Sequence, residues 1–125
     1  MTHAAELHIV VTNVRNDRGH IQVNVCTPKT FLTDSCPYHG SAVSVPGETT
    51  VVVPNVPPGI WAVQAYHDEN DNELVDRDLL GIPTEGIGFS NNAPFRFGPP
   101  SFKDAEFTMV AARQRITLKL RYFLN

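Results

Sequence analysis

The chain has 125 residues, of which 42% are hydrophobic, and a formal net charge of -3. These values fit one globular domain and exclude a disordered chain. No apolar run approaches the roughly 20 residues that cross a bilayer, so we expect a protein that does not span a membrane. Lys and Arg form no cluster that could collect phosphates, so nucleic acid is not an expected partner.

Alternation of apolar and polar residues with a period of two dominates the chain, and this pattern predicts β-strands. The first two alternating runs begin at Leu7 and Ile21, and Asp17-Arg18-Gly19 between them is typical of a hairpin turn. Further alternating runs lie at 51–53, 61–66, 105–109 and 116–122.

Six or seven short strands separated by turn signals, with no amphipathic helical stripe, are typical of a β-sandwich. We therefore predict one all-β domain over residues 1–125, an antiparallel β-sandwich of about seven strands. The segment 80–102 is the exception, because it holds eight residues that are Pro or Gly and should be neither regular strand nor helix. With the acidic residues before it, it forms a loop region at 68–102 that should pack over one end of the sandwich.

The two cysteines, Cys26 and Cys36, allow two interpretations. A disulfide between them would close a loop of 11 residues, adding roughly 2–3 kcal/mol by the chain-entropy account. Two unconnected buried thiols in a cytosolic protein are the alternative. The disulfide is favoured, because Cys26 ends a predicted strand and Cys36 lies in an exposed-looking loop. A cysteine nucleophile acting with His39 is disfavoured, since mutual pairing accounts for both thiols.

The acidic side chains are concentrated in one segment. Between Asp68 and Asp78 there are six acids and one base, a net charge of -5, while the rest of the chain carries +2. Oxygen-bearing side chains follow the spacing D-x-N-x-N-x-x-x-D, and Ca²⁺ takes about six to eight oxygen ligands. The expected ligands are Asp68, Asn70, Asn72, the Leu74 carbonyl and Asp76, with Glu85 or Asp78 as a remote carboxylate.

This segment differs from a helical calcium-binding hand. A strand precedes it, Glu73 stands where the sharp turn needs glycine, and Leu79 stands where a bidentate glutamate would lie. Zinc is less suited, because His67 is the only nearby histidine and no cysteine is in range. The competing interpretation is a solvated acidic turn whose Asp and Asn side chains cap their own backbone. A calcium ion here would stiffen the long loop rather than take part in chemistry.

Two other functions are possible alternatives. An enzyme would need a cleft in which His67, Asp68 and Ser90 converge. Neighbours on a strand point to opposite faces, however, so a structural role for His67 is favoured, and Ser90 does not lie in a G-x-S-x-G turn. A small-molecule carrier would use the aromatic loop 81–102 to cover an apolar pocket.

The segment from Val56 to Asn70, Val-Pro-Pro-Gly-Ile-Trp-Ala-Val-Gln-Ala-Tyr-His-Asp-Glu-Asn, resembles the central motif of the DUF2141 family of uncharacterised bacterial proteins. The chain departs from the family pattern at Glu73, where the family commonly has glycine. The likeness spans nearly the whole chain, continuing through Asp76, 80–86, 88–92 and 97–102 and including 19–23.

The resemblance implies small exported proteins with an immunoglobulin-like or prealbumin-like sandwich and no established activity. It implies a periplasmic or extracellular location, with a signal peptide that is absent from this chain and expected to have been removed. Export makes the Cys26–Cys36 disulfide more plausible and supplies calcium that would fill even a weak site. We therefore predict a cell-envelope binding or interaction module with a structural calcium ion. Its partner would be a protein or a small molecule, and the chain itself would be monomeric or weakly associating.

Overall fold

A computed structural model describes residues 5–72, 85–95 and 98–122, and within these ranges the chain forms eight strands. A short 3₁₀ turn at Ser90–Asn92 and helix α1 at Phe102–Ala105 lie among them. The all-β prediction is confirmed, and within the described ranges no helix is long and apolar enough to cross a membrane. The strands are β1 (Glu6–Val14), β2 (His20–Cys26), β3 (Tyr38–Val43), β4 (Gly47–Pro54), β5 (Gly59–Asp68), β6 (Ile87–Phe89), β7 (Phe107–Met109) and β8 (Arg113–Lys119).

The strands form two sheets. One has the order β4-β1-β8, and the other has the order β3-β2-β5-β6, with β7 pairing with the start of β5. Strand β1 runs parallel to β8, from Glu6 opposite Arg113 to Thr12 opposite Lys119, whereas the other described pairs are antiparallel. The prediction of a purely antiparallel arrangement is therefore wrong for this pair. Because β1 and β8 are the first and last strands, no tight hairpin dictates their relative direction.

The main core lies between the two sheets. Leu7, Val51 and Leu118 enter it from the three-stranded sheet, and Val23 and Val63 enter it from the five-stranded sheet. Each of these side chains is at most 1% exposed, and full burial of a side chain of this size contributes about 1.5–3 kcal/mol. The alternating pattern of the sequence therefore identifies the core-facing side of these strands.

A second apolar cluster covers the opposite face of the five-stranded sheet, where Ala62 points away from the main core. Phe31 meets Phe89 and Phe102 edge to face there, with ring centroids 5.7 and 5.9 Å apart. The predicted disulfide between Cys26 and Cys36 is present in the same cluster, with the Cα atoms 4.7 Å apart. The disulfide closes the segment that carries Phe31 and thereby holds this ring against the sheet.

The prediction that 80–102 contains no regular strand is wrong within its described part. Strand β6 pairs with β5, with Phe89 opposite Gln64. Helix α1 begins after Ser101, whose hydroxyl oxygen accepts a hydrogen bond from the Asp104 backbone at 3.2 Å. This cap places Ala105 in the helix rather than in the strand predicted at 105–109. Residues 73–84, which belong to the predicted loop region 68–102, lie outside the described residues.

Candidate functional site

The candidate site is the acidic turn, residues 68–72, which directly follows β5. Asp68 ends the strand and is fully buried, which is unusual for a carboxylate. The backbone N–H of Asp71 donates to the Asp68 carbonyl at 3.3 Å, and Asp71 itself takes a left-handed backbone conformation with φ of 54°. The chain therefore makes a tight turn at the position where the ligand spacing predicts one.

The predicted ligands on the acidic turn are drawn toward its backbone. The backbone N–H of Asn72 lies 3.1 Å from Oδ1 of Asp68 and 3.4 Å from Oδ1 of Asn70, and both oxygens accept from it. The second oxygen of Asp68 accepts from Nε2 of Gln22 on β2 at 3.4 Å. The oxygens of Asp68 and Asn70 therefore converge on one side of the turn.

Glu85 joins the acidic turn from the other end of the long loop, as the sequence predicts for a remote ligand. Its side chain is buried, and Oε2 accepts a hydrogen bond from the backbone N–H of Glu69 at 2.9 Å. Four of the six predicted ligand residues, Asp68, Asn70, Asn72 and Glu85, therefore lie on or beside the acidic turn. The remaining predicted positions, Leu74 and Asp76, and the alternative Asp78, lie outside the described residues.

These hydrogen bonds match the competing interpretation of a turn capped by its own side chains. Each carboxylate or amide oxygen has two lone pairs, so an oxygen that caps the backbone can also coordinate a cation. Among the residues that the structure describes, no three His, Cys, Asp or Glu side chains form a metal-holding group. A cation at this turn would therefore also need amide or backbone carbonyl oxygens.

Glu69 is held by the segment that connects β1 to β2. Its Oε1 accepts from Nε of Arg15 at 3.0 Å, its Oε2 accepts from Nδ2 of Asn16 at 2.9 Å, and Nη1 of Arg18 lies 3.8 Å from Oε2. Burial raises the pKa of Glu69, but the hydrogen bonds from Asn16 and Arg15 and the charge of Arg15 outweigh it. The pKa of this carboxyl is therefore below its usual range.

A second acid of the turn, Asp71, interacts with a histidine at the start of β2. His20, at the start of β2, places Nδ1 2.7 Å from Oδ1 of Asp71. Sequence analysis missed His20, Arg15 and Arg18 as partners of the acidic turn. The available signal was the arginine-containing hairpin that precedes β2. Antiparallel pairing of β2 with β5 places His20 opposite Asp68, and this brings the hairpin beside the acidic turn.

Gly19 lets the β1–β2 connection lie directly against the acidic turn. Its backbone has φ of +62°, and a Cβ added there would lie 1.9 Å from the Asp68 carbonyl oxygen. Any side chain would therefore push the two segments apart. Glycine is required here both by conformation and by space.

His67 points into the main core side of β5, away from Asp68, and is fully buried. Nε2 lies 2.8 Å from the Arg18 carbonyl oxygen, which only accepts, so Nε2 carries the hydrogen. In the neutral ring Nδ1 then accepts from the Tyr122 hydroxyl at 3.3 Å, and that hydroxyl accepts from the Arg15 backbone at 3.0 Å. Burial raises the pKa of Tyr122 above its usual value. From this buried position His67 therefore ties the hairpin and Tyr122 to β5, which is the structural role that the sequence favours.

Ser90 lies apart from His67 and Asp68. Its hydroxyl accepts from the Val63 backbone N–H at 2.9 Å and donates to the Ala105 carbonyl, so it links β5 to α1. Val63 precedes His67 by four residues on β5, a distance of about 13 Å along a strand. The cleft in which these three side chains would converge is therefore not formed. Both cysteines are in the disulfide, so neither is a free thiol nucleophile.

Comparison with protein-family models identifies the family of the chain. A family model described as "Uncharacterized protein conserved in bacteria (DUF2141)" matches residues 9–117. The chain belongs to the DUF2141 family. No curated protein and no solved structure matches it.

The DUF2141 match includes the β1–β2 connection, the acidic turn and Glu85. The motif at 56–70 by which the sequence resembles this family forms β5 and the first residues of the acidic turn. The resemblance is therefore confirmed, and the segment 56–70 also supplies the first residues of the candidate site. Export of the protein stays a prediction.

Proposed function

We propose that this DUF2141 protein is a binding or interaction module of the cell envelope, in which the acidic turn holds one structural calcium ion. Two sheets around a shared core support an immunoglobulin-like or prealbumin-like sandwich, a fold that presents its loops at the ends of the strands. The disulfide supports a periplasmic or extracellular location, because such bonds persist in oxidising compartments.

The observation that carries the calcium proposal is the division of the acids at the turn. Glu69 and Asp71, which the ligand spacing does not include, interact with Arg15 and His20. Glu85, which the ligand set needs as a remote carboxylate, lies beside the acidic turn with its carboxylate buried. Glu69 thus has arginine partners within the chain and Asp71 has a histidine partner, while the Glu85 carboxylate lies beside the turn.

The donor atoms favour a hard cation. Carboxylate, amide and carbonyl oxygens suit Ca²⁺, whereas Zn²⁺ prefers thiolate and imidazole. Both thiols are oxidised, and both ring nitrogens of His67 are engaged in hydrogen bonds. The ion would join the end of β5 to Glu85, across the loop between them, and its role would be to hold this loop rather than to catalyse a reaction.

Thermal unfolding in calcium and in chelator tests the proposal. At a free calcium concentration of about 100 times Kd, the ion would stabilise the fold by about 2.7 kcal/mol. For a chain of 125 residues this corresponds to a rise in Tm of about 10 °C. Glu85→Gln should lose most of that rise. Glu48→Gln, an exposed change of the same kind on β4, should keep it. Equal melting of the unmodified protein in calcium and in chelator would refute the proposal.

A carrier of small apolar ligands is the second candidate, favoured by a cavity of about 230 Å³ beside β6. Its apolar lining comes from Ile87, Phe89, Ala93 and Phe95, which belong to the aromatic loop segment 81–102. An apolar cavity of about 150 Å³ is already large enough for benzene. The cavity therefore has room for a ligand of one ring or a short alkyl chain.

A further inference from the structure

We propose that the cavity beside β6 binds a small carboxylate that carries an apolar ring or a short alkyl chain. This inference rests on the carrier function proposed as the second candidate. It adds the charge of the ligand and the two residues that would select it, Lys119 and Arg121.

The cavity is framed by β6 and the end of the chain that follows β8. Backbone hydrogen bonds join Ile87 to Arg121 in both directions, at 3.0 and 2.8 Å, and the Lys119 N–H donates to Oδ1 of Asn92 at 2.9 Å. A Cβ on Gly88 would lie 2.7 Å from the Lys119 carbonyl oxygen, so glycine allows this close approach. These backbone bonds fix β6 relative to the chain that follows β8, and a formed site spares a ligand part of the ordering cost.

One wall of the cavity is aromatic. The rings of Phe89 and Phe95 lie with centroids 5.5 Å apart at 54°, and Ile87 and Ala93 extend the same apolar surface. Contact with this wall would stabilise a hydrocarbon group, because it removes apolar surface from water. The wall by itself offers no group that would favour a charged ligand over a neutral one.

The rest of the lining is cationic and polar. Lys119 and Arg121 line the cavity, and no acidic residue is among its described lining residues. Within the described part of the chain neither cation forms an ion pair. From Phe107 to the last residue the sequence has four basic residues and no acidic one. A guanidinium fork matches the two oxygens of a carboxylate, and an ammonium adds a second positive charge.

The size and lining together indicate an amphipathic monoanion. Inorganic phosphate has no apolar part to contact the phenylalanine wall, and its second charge would be costly to desolvate there. A neutral hydrocarbon would leave the cationic edge without a matching charge. A carboxylate attached to a ring or short chain satisfies both surfaces at once.

Titration of the full chain with 3-phenylpropionate, followed by ¹H–¹⁵N NMR, tests the inference. The neutral analogue 3-phenylpropan-1-ol and inorganic phosphate are the comparison ligands. We expect 3-phenylpropionate to shift the amide signals of 87–95 and to bind at least about tenfold more tightly than the alcohol. Phosphate should bind at least about tenfold more weakly than 3-phenylpropionate.

Two double variants are compared, and each removes two positive charges. One pair of residues lies in the cavity lining at the end of β8 and just after it, and the other lies at the start of β8. Lys119→Gln with Arg121→Gln should weaken 3-phenylpropionate binding about tenfold. Arg113→Gln with Arg115→Gln removes the same charge at positions outside the cavity lining and should leave the affinity unchanged. All four side chains are exposed, so both variants should fold, which the dispersion of their spectra would show.

The possible results separate this inference from the carrier function. Equal affinity for the acid and the alcohol would overturn the carboxylate inference and leave an apolar carrier. Phosphate binding as tightly as 3-phenylpropionate, or unchanged affinity in the Lys119/Arg121 variant, would also overturn it. The absence of any shift at 87–95 with every ligand would overturn both the inference and the carrier function.

Discussion

Removal of the disulfide should destabilise the protein by an amount that the structure allows us to calculate. The bond links positions separated by 10 in the sequence, for which the chain-entropy relation predicts about 2.7 kcal/mol at 25 °C. The double variant Cys26→Ala with Cys36→Ala also removes two sulfur atoms from the buried second cluster. This loss of packing adds about 1 kcal/mol. We therefore expect a total loss of about 3–4 kcal/mol.

Reduced protein separates the two contributions, because its thiols still fill the cluster while the loop is open. Urea unfolding followed by the fluorescence of Trp61, the single tryptophan, would give three free energies of unfolding. Oxidised protein should be the most stable, reduced protein should lose about 2.7 kcal/mol, and the double variant should lose most. Reduced protein should also show altered NMR signals for Phe31, whose segment the bond closes. Equal stability of oxidised and reduced protein would refute the reasoning.

Three further predictions concern the acidic turn and the β1–β2 hairpin beside it. Glu69→Gln should lower the free energy of unfolding by about 1–2 kcal/mol at neutral pH. Because the pKa of Glu69 is lowered in the folded protein, this stabilisation is complete above the ordinary pKa of about 4.5. It is lost as the pH falls through the folded pKa. Denaturant titrations of both proteins between pH 2 and pH 7 test this, and a pH-independent difference would contradict it. Gly19→Ala should cost about 1–3 kcal/mol more than Gly47→Ala, since both positions have positive φ but only Gly19 lacks space for a Cβ; equal losses would exclude the steric explanation. Tyr122→Phe should cost about 1 kcal/mol and leave the hydrogen of neutral His67 on Nε2, which ¹⁵N NMR detects; a hydrogen on Nδ1 would contradict the assigned bonds.

Much of the fold is predictable from alternation alone, since strands with one buried face repeat every two residues. Strands β1, β2, β4 and β5 carry this pattern clearly. Strand β3 was missed, because Gly40 and Ser41 interrupt its apolar pattern and its inward side chains are only partly buried. Strand β6 was missed, because its three residues are all buried and therefore show no alternation.

The candidate site was predictable in part, because ligand spacing is a local property and partner choice is not. The positions of Asp68, Asn70 and Asn72 on one turn follow from the sequence, and Glu85 lies beside that turn. The interaction of Glu69 with Arg15 depends on pairing between β2 and β5 and on the path of the hairpin. The net charge of -5 counted along the segment 68–78 therefore omits the arginines that the fold brings to Glu69.

Native mass spectrometry of the chain dialysed against calcium measures the central claim most directly, because it counts bound ions. The account predicts one Ca²⁺ per chain, removed by chelator and absent from the Glu85→Gln variant. The Glu48→Gln variant should retain the ion. A metal-free chain at saturating calcium would contradict the account, and the acidic turn would then be one that its own side chains cap.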